Sequence, residues 1–156
     1  MAKKAKRSTT RIAPIDDVAR HLGRSHLETH PDTGAVIGVF NTSFLLKVKT
    51  AEKEASVNHL QHFTGDTLAQ MKAIKADMVA SGYTVGNRSA YAVVKVEQLE
   101  ECGNRCDLAL AAYKRPLKGN SSHAGVRGLP LDNANLDVLE ELAKAASKLI
   151  FPAENL

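Results

Sequence analysis

Hydrophobic positions change their period several times along this chain. Ile15, Val18, Ala19 and Leu22 recur at i, i+3, i+4 and i+7, a spacing that predicts a short helix. Pro14 suits its first turn, Asp16 and Asp17 suit the positive end of its dipole, and Gly23 supplies a stop. The following RSHLETHPDTG has room for one more turn before Pro31 and Gly34 close it. From Ala35 two β-rich runs, AVIGVF and SFLLKVK, flank Asn41-Thr42 and read as a hairpin, with Asn41 the residue better able to take a left-handed turn.

From about Ala51 the stretch AEKEASVNHLQHF reads as a helix, ending at Thr64-Gly65. A second helix opens with Asp66 as N-cap, carries Leu68, Met71, Lys72, Met78 and Val79 on one stripe, and stops at Gly82. Residues 83–96 return to β texture, with AYAVVKV the strongest strand. The next segment reads two ways: EQLEECG as a short helix ended by Gly103, or CGNRC as a hairpin tip followed by the strand CDLALAAYK. Alternation of Cys106, Leu108, Leu110 and Ala112 favours the hairpin. Residues 114–131, with two prolines and three glycines, read as a long irregular loop. A closing helix from about Asn135 to Ile150 places Leu136, Leu139, Leu142, Ala143, Ala146, Leu149 and Ile150 on one broad face, and Pro152 ends it. The expected fold class is α+β: a mixed or antiparallel sheet of about four strands packed against two or three helices, with the 51–81 helices and the last helix on one face.

Composition narrows the class. A chain of 156 residues with 44% hydrophobic content can bury one core without disulfides or metal. Two cysteines, Cys102 and Cys106, make no secreted scaffold, the charged N-terminus is followed by no apolar run, and no stretch of about 18 apolar residues is present. The expectation is a cytoplasmic protein without membrane contact. At 4% aromatic residues and no Trp, a platform on which successive bases stack is disfavoured.

Charge is the most uneven feature. Lys3, Lys4, Lys6, Arg7 and Arg11 fall within the first eleven residues with no acid among them; removing these five from the 21 basic residues leaves 16 against 17 acidic, a net of −1. Residues 1–13 therefore read as a flexible basic arm on a near-neutral domain spanning 14–156, an arrangement suited to tethered contact with a polyanion. A second basic cluster lies in the region of the loop, where Arg105, Lys114, Arg115, Lys118 and Arg127 face only Asp107. Within it KGNSSHAGVRG has glycines and hydroxyls that suit a phosphate cradle, although it lacks the closing Gly-Lys-Ser/Thr of a P-loop.

Other constellations weigh less. VARHLGRS has the Ala19, Gly23 and Ser25 spacing of a helix-turn-helix start, but Pro31 and Gly34 leave no recognition helix. His26 and His30, His59 and His62, and Cys102 with Cys106 have workable ligand spacings, yet nothing in the sequence brings them together, so no metal is assigned. Ser121, Ser122 and His123 beside Lys118 and Arg127 are the only concentrated chemistry, in a loop with little apolar content to lock a catalytic geometry. No catalytic residue and no cofactor is assigned. The expected function is accessory nucleic-acid binding, of viral or mobile-element type, through Lys3, Lys4, Lys6, Arg7 and Arg11 of the arm and Lys114, Arg115, Lys118 and Arg127 of the loop. The alternative is a structural or assembly protein, homo-oligomeric, whose arm grips a neighbouring subunit and whose last helix is buried between chains.

Overall fold

Alternation of side chains, rather than helical spacing, governs the first part of the chain. The computed structural model describes residues 10–46, 53–130 and 136–156. Asp17–Leu22 is a strand, β1, with Val18 and Leu22 turned to one core layer and Ala19 to the other. The expected helix is overturned, because four apolar residues at helical spacing equally suit a central strand covered on both faces. Ile15, which began the pattern, is exposed.

Strands β2 (Leu27–Thr29) and β3 (Val36–Val39) pair antiparallel as a separate two-stranded sheet. Gly34, at φ 72°, takes the left-handed conformation their connection requires. The hairpin thus forms one segment earlier than expected, and Asn41–Phe44 is a 3-10 turn rather than its tip. The last part of the expected second strand, from Lys47, lies outside the described residues.

Glu54–His59, expected within a helix, is strand β4. Ala55 and Val57 enter the core while Ser56, between them, is exposed, which is strand alternation. Helix α1 (Thr67–Ala80) follows as expected, its first turn capped by Asp66 Oδ1, which accepts from the Ala69 N–H at 2.8 Å, and Gly82 (φ 90°) lies just past its end. Its inward residues are Gln70, Met71, Ile74 and Met78, whereas Leu68 and Val79 are exposed.

After β5 (Ala90–Lys95) the favoured hairpin at CGNRC is overturned. Val96–Arg105 is helix α2, with Val96, Leu99, Cys102 and Gly103 buried, and the chain reverses at Asp107, whose φ is 58°. A Cβ at Gly103 would press on Leu110 and the Leu108 carbonyl, so the helix end and the returning chain meet at a position with no side chain. Strands β6 (Ala111–Lys114) and β7 (His123–Arg127) follow, and β7 runs through what reads as irregular loop. Helix α3 (Leu136–Ala146) ends before Ile150, and Ile150–Pro152 forms β8 against β5.

The main sheet has six strands, not four, in the order β6-β7-β4-β1-β5-β8, antiparallel throughout. Helices cover both faces, not one. The larger core packs α2 and α3 on the face carrying Val18, Leu22, Ala55, Val57, Ala124 and Val126. Helix α1 covers Ala19, Tyr91 and Val93 on the other. Strand β1 pairs with β5 along all six residues but with β4 only at Val18–His59 and Ala19–Asn58, so the sheet forks beyond Ala19. The Arg20 guanidinium bridges the fork, donating to the carbonyls of Ser56 (2.8 Å) and Ser43 (3.0 Å).

Leu142 sits fully buried in the middle of α3. Leu142→Asp should cost several kcal/mol, since it buries a carboxylate among apolar groups, and should abolish the folded monomer in urea denaturation. A folded protein of unchanged stability would contradict this core.

Candidate functional site

Because side chains alternate, the strands that send Ala55, Val57, Ala124 and Val126 into the core send Glu54, Ser56, Asn58, His123, Gly125 and Arg127 to the opposite face. Antiparallel register sets these in three cross-strand pairs: Glu54 with Arg127, Ser56 with Gly125, and Asn58 with His123. Tyr113 of β6 joins them beside Gly125. Helix α1 packs over the β1–β5 half of this face, and among the described residues no helix packs over the β4–β7–β6 half.

Glu54 organises that open half. Its carboxylate is buried over Gly125, where a Cβ would collide with it, and it pairs with Arg115 and with Arg127 Nε at 3.0 Å. Burial pushes the Glu54 carboxyl up, but the two guanidiniums outweigh it and hold the group below the usual carboxylate range. The Arg127 guanidinium also lies over the Tyr113 ring, 4.1 Å from its centroid. The basic loop is therefore less free than its sequence: Arg115 and Arg127 are tied to a carboxylate, while Lys114 and Lys118 are exposed and make no ion pair among the described residues.

The segment that suits a phosphate cradle is closed by its own contacts. Leu117 and Asn120 exchange backbone hydrogen bonds (3.0 and 3.1 Å) around Gly119, and the Ser122 hydroxyl accepts from Asn58 Nδ2 at 2.8 Å. Asn58 Nδ2 gives its other hydrogen to Asn120 Oδ1 at 2.7 Å, which fastens the turn to β4. Ser121 meets the His62 ring at 2.9 Å, and His123 Nδ1 donates to the Arg115 carbonyl at 2.8 Å.

The arm enters the fold at this same place. Ile12 is buried, its N–H bonds the Ala112 carbonyl at 2.9 Å, and the Lys114 N–H bonds the Thr10 carbonyl at 2.8 Å. Residues 10–12 thus line the edge of β6, with Arg11 opposite Tyr113 and its guanidinium 2.6 Å from Glu100. Running antiparallel to β6, the chain leaves Thr10 beside Lys114, where the basic loop starts. Lys3, Lys4, Lys6 and Arg7 lie outside the described residues.

Other expectations resolve separately. The helix-turn-helix segment is β1 followed by a 3-10 turn. His59 contacts Asp16 at 2.7 Å and His26 contacts Thr42 at 2.8 Å, so neither histidine pair converges, and no group of three metal-ligating side chains occurs among the described residues. Cys102 and Cys106 are free, and burial pushes the Cys102 thiol up, away from a reactive thiolate. No helix among the described residues is long and apolar enough to cross a membrane.

Sequence reasoning passed over Glu54, Asn58, Asn120 and His21. The signal for the first two was alternation with Ala55 and Val57; for Asn120 and His21 no local signal exists, because their partners are 62 and 68 residues away.

Glu54→Gln should destabilise the fold by about 1–3 kcal/mol, towards the lower end because Arg115 can turn to solvent. Urea denaturation at neutral pH measures this. A second prediction concerns acid. Burial lowers His21, with Arg20 adding to the effect, and burial likewise lowers His123 from the ordinary 6.5. The unfolded chain then takes up protons that the folded chain refuses, so stability is full above the ordinary 6.5 and declines as pH falls below it. The urea midpoint should drop across that window, and less in a His21→Gln, His123→Gln double variant; equal slopes would contradict the assignment.

Comparison with protein-family models, curated proteins and solved structures yields no match to this chain.

Proposed function

We propose that this protein binds polynucleotides through phosphate contacts, using the basic arm together with the open half of the sheet. The observation that carries this reading is the hydrogen bond between Lys114 and Thr10, which roots the arm where Lys114, Arg115 and Lys118 emerge. The described end of the arm, from Thr10, and the basic loop, about a hundred residues later in sequence, thereby meet at one end of one sheet edge. Arg115 and Arg127 pair with Glu54, while Lys114 and Lys118 of the same segment make no ion pair among the described residues, so the segment keeps a positive balance even though two of its arginines are engaged.

Such an interface reads charge rather than base sequence. Lysines and arginines contact phosphates, counterions leave, and affinity falls with salt. Among the described strand residues of this half, Tyr113 is the one Phe, Tyr or Trp on the open face, and Arg127 already covers it. Serial base stacking therefore contributes little. In the assembly alternative the arm would remain the contact, since Leu139, Leu142, Ala143 and Ala146 of α3 are buried in the protein's own core.

Removing residues 2–9 tests the reading while sparing Arg11 and Ile12, which hold the edge of β6. Fluorescence anisotropy with a labelled single-stranded 20-mer, from 50 to 300 mM salt, should show weaker binding and a log K against log salt slope shallower by about 3, for four lost phosphate contacts. Lys114→Ala with Lys118→Ala should flatten it by about 1.5. Identical affinity and slope in all three proteins would exclude the proposed interface.

A further inference from the structure

Where β1 and β4 part, a cleft of about 430 Å³ opens between the end of α1 and the β6–β7 turn. Its size suits a small molecule of a few rings. No carboxylate lines it, and Lys118, which has no ion pair among the described residues, stands at its border.

The polar groups of the cleft are fixed in direction by their neighbours. The Ser89 hydroxyl gives its hydrogen to the Gly86 carbonyl at 2.6 Å, so it accepts from His21 Nε2 at 2.9 Å, and His21 Nδ1 is left as a lone-pair acceptor. His123 gives its Nδ1 hydrogen to the Arg115 carbonyl, leaving Nε2 as an acceptor. Burial keeps both rings neutral at physiological pH. Asn58 spends both amide hydrogens on Asn120 and Ser122, which leaves its Oδ1 as an acceptor and the Asn120 amide nitrogen as a donor.

His21, His123 and Asn58 present acceptors to the cleft, so a bare inorganic anion satisfies only part of it. A complementary ligand carries a negative group for Lys118 and N–H or O–H donors for the histidines and Asn58. Two large apolar side chains also line it: Tyr83, 53% exposed and edge-on to His21 at 5.4 Å, and Leu117, 49% exposed. Exposed apolar groups of this size beside a polar cleft suit a flat ring.

We infer that this cleft binds a single nucleotide, its phosphate at Lys118, its ribose and base donors on His21, Asn58 and His123, and its base against Tyr83 and Leu117. The inference deepens the polynucleotide reading and rests on it only for the source of the nucleotide, which is either free or the phosphorylated end of a strand. The cleft and the arm act on different parts of such a ligand, and they separate experimentally.

The test titrates the isotopically labelled full chain with adenosine 5′-monophosphate, adenosine and inorganic phosphate, followed by amide and histidine-ring NMR. The monophosphate should bind at least tenfold more tightly than either fragment and shift His21, Tyr83, Asn120 and His123. Tyr83→Ala and Lys118→Ala, both exposed and so neutral to folding, should each weaken it about tenfold, whereas removal of residues 2–9 should change it less than about twofold. A 5′-phosphorylated octanucleotide added to the truncated chain identifies the source: the same shifts with the phosphorylated but not the 5′-hydroxyl strand support a strand end, and shifts with the monophosphate alone support a free nucleotide. Polynucleotide binding without any monophosphate shift at the cleft overturns this inference and leaves the arm-based reading standing. Binding of monophosphate that is indifferent to Tyr83→Ala and Lys118→Ala overturns it as well.

Discussion

A six-stranded sheet has two faces to cover, and on one of them the described residues supply a single α-helix. Helices α2 and α3 close the first face over a continuous apolar layer. On the second, α1 reaches only Ala19, Tyr91 and Val93 of the β1–β5 half. The uncovered half must then be polar, since strands that alternate cannot present apolar side chains to water on that scale without inviting association. Its polar residues follow from this constraint, and so does the place where partners can reach the sheet.

Glu54 shows how the polar half is held together. A carboxylate at the buried start of β4 would oppose folding on its own, because losing water penalises its charged form. Gly125 opposite leaves the space it occupies, and Arg115 and Arg127 supply compensating charge. The same contact orients the first residues of the β6–β7 connection, and the Asn58 amide fastens the turn at its far end. Within what reads as a loose loop, residues 115–122 form a pinned connection between two paired strands and His123–Arg127 is β7 itself, and the cleft at the fork inherits its rigidity from that pinning.

How much of this was legible in the sequence depends on where the deciding contacts lie. Helix α1 was legible because its cap is local: Asp66 bonds three residues ahead, and Gly82 follows its end. Strand β5 was legible from its run of β-branched and aromatic residues. Strand β1 was misread as a helix because a central strand with both faces covered loses clean alternation, and Val18-Ala19 is apolar on both sides; β4 does alternate at Ala55 and Val57, but its start lies in the Ala-Glu-Lys-Glu-Ala run, whose residues favour a helix. Helix α2 was missed for the converse reason: Cys102, Cys106, Leu108 and Leu110 alternate, but Gly103 and Asp107 end a helix there instead of turning a hairpin. Of the candidate site, the cations were visible as charge. Their pairing with Glu54 was not, because it joins residues 61 and 73 positions apart.

The central claim is that arm and open sheet face form one surface. Mapping amide shifts of the labelled full chain on addition of a short single-stranded oligonucleotide at low salt tests it directly. The account predicts changes at Tyr113, Lys114, Arg115, Lys118 and His123, with α2 and α3 unmoved. Changes confined to α2 and α3, or to the arm with β6 and β7 silent, would contradict it.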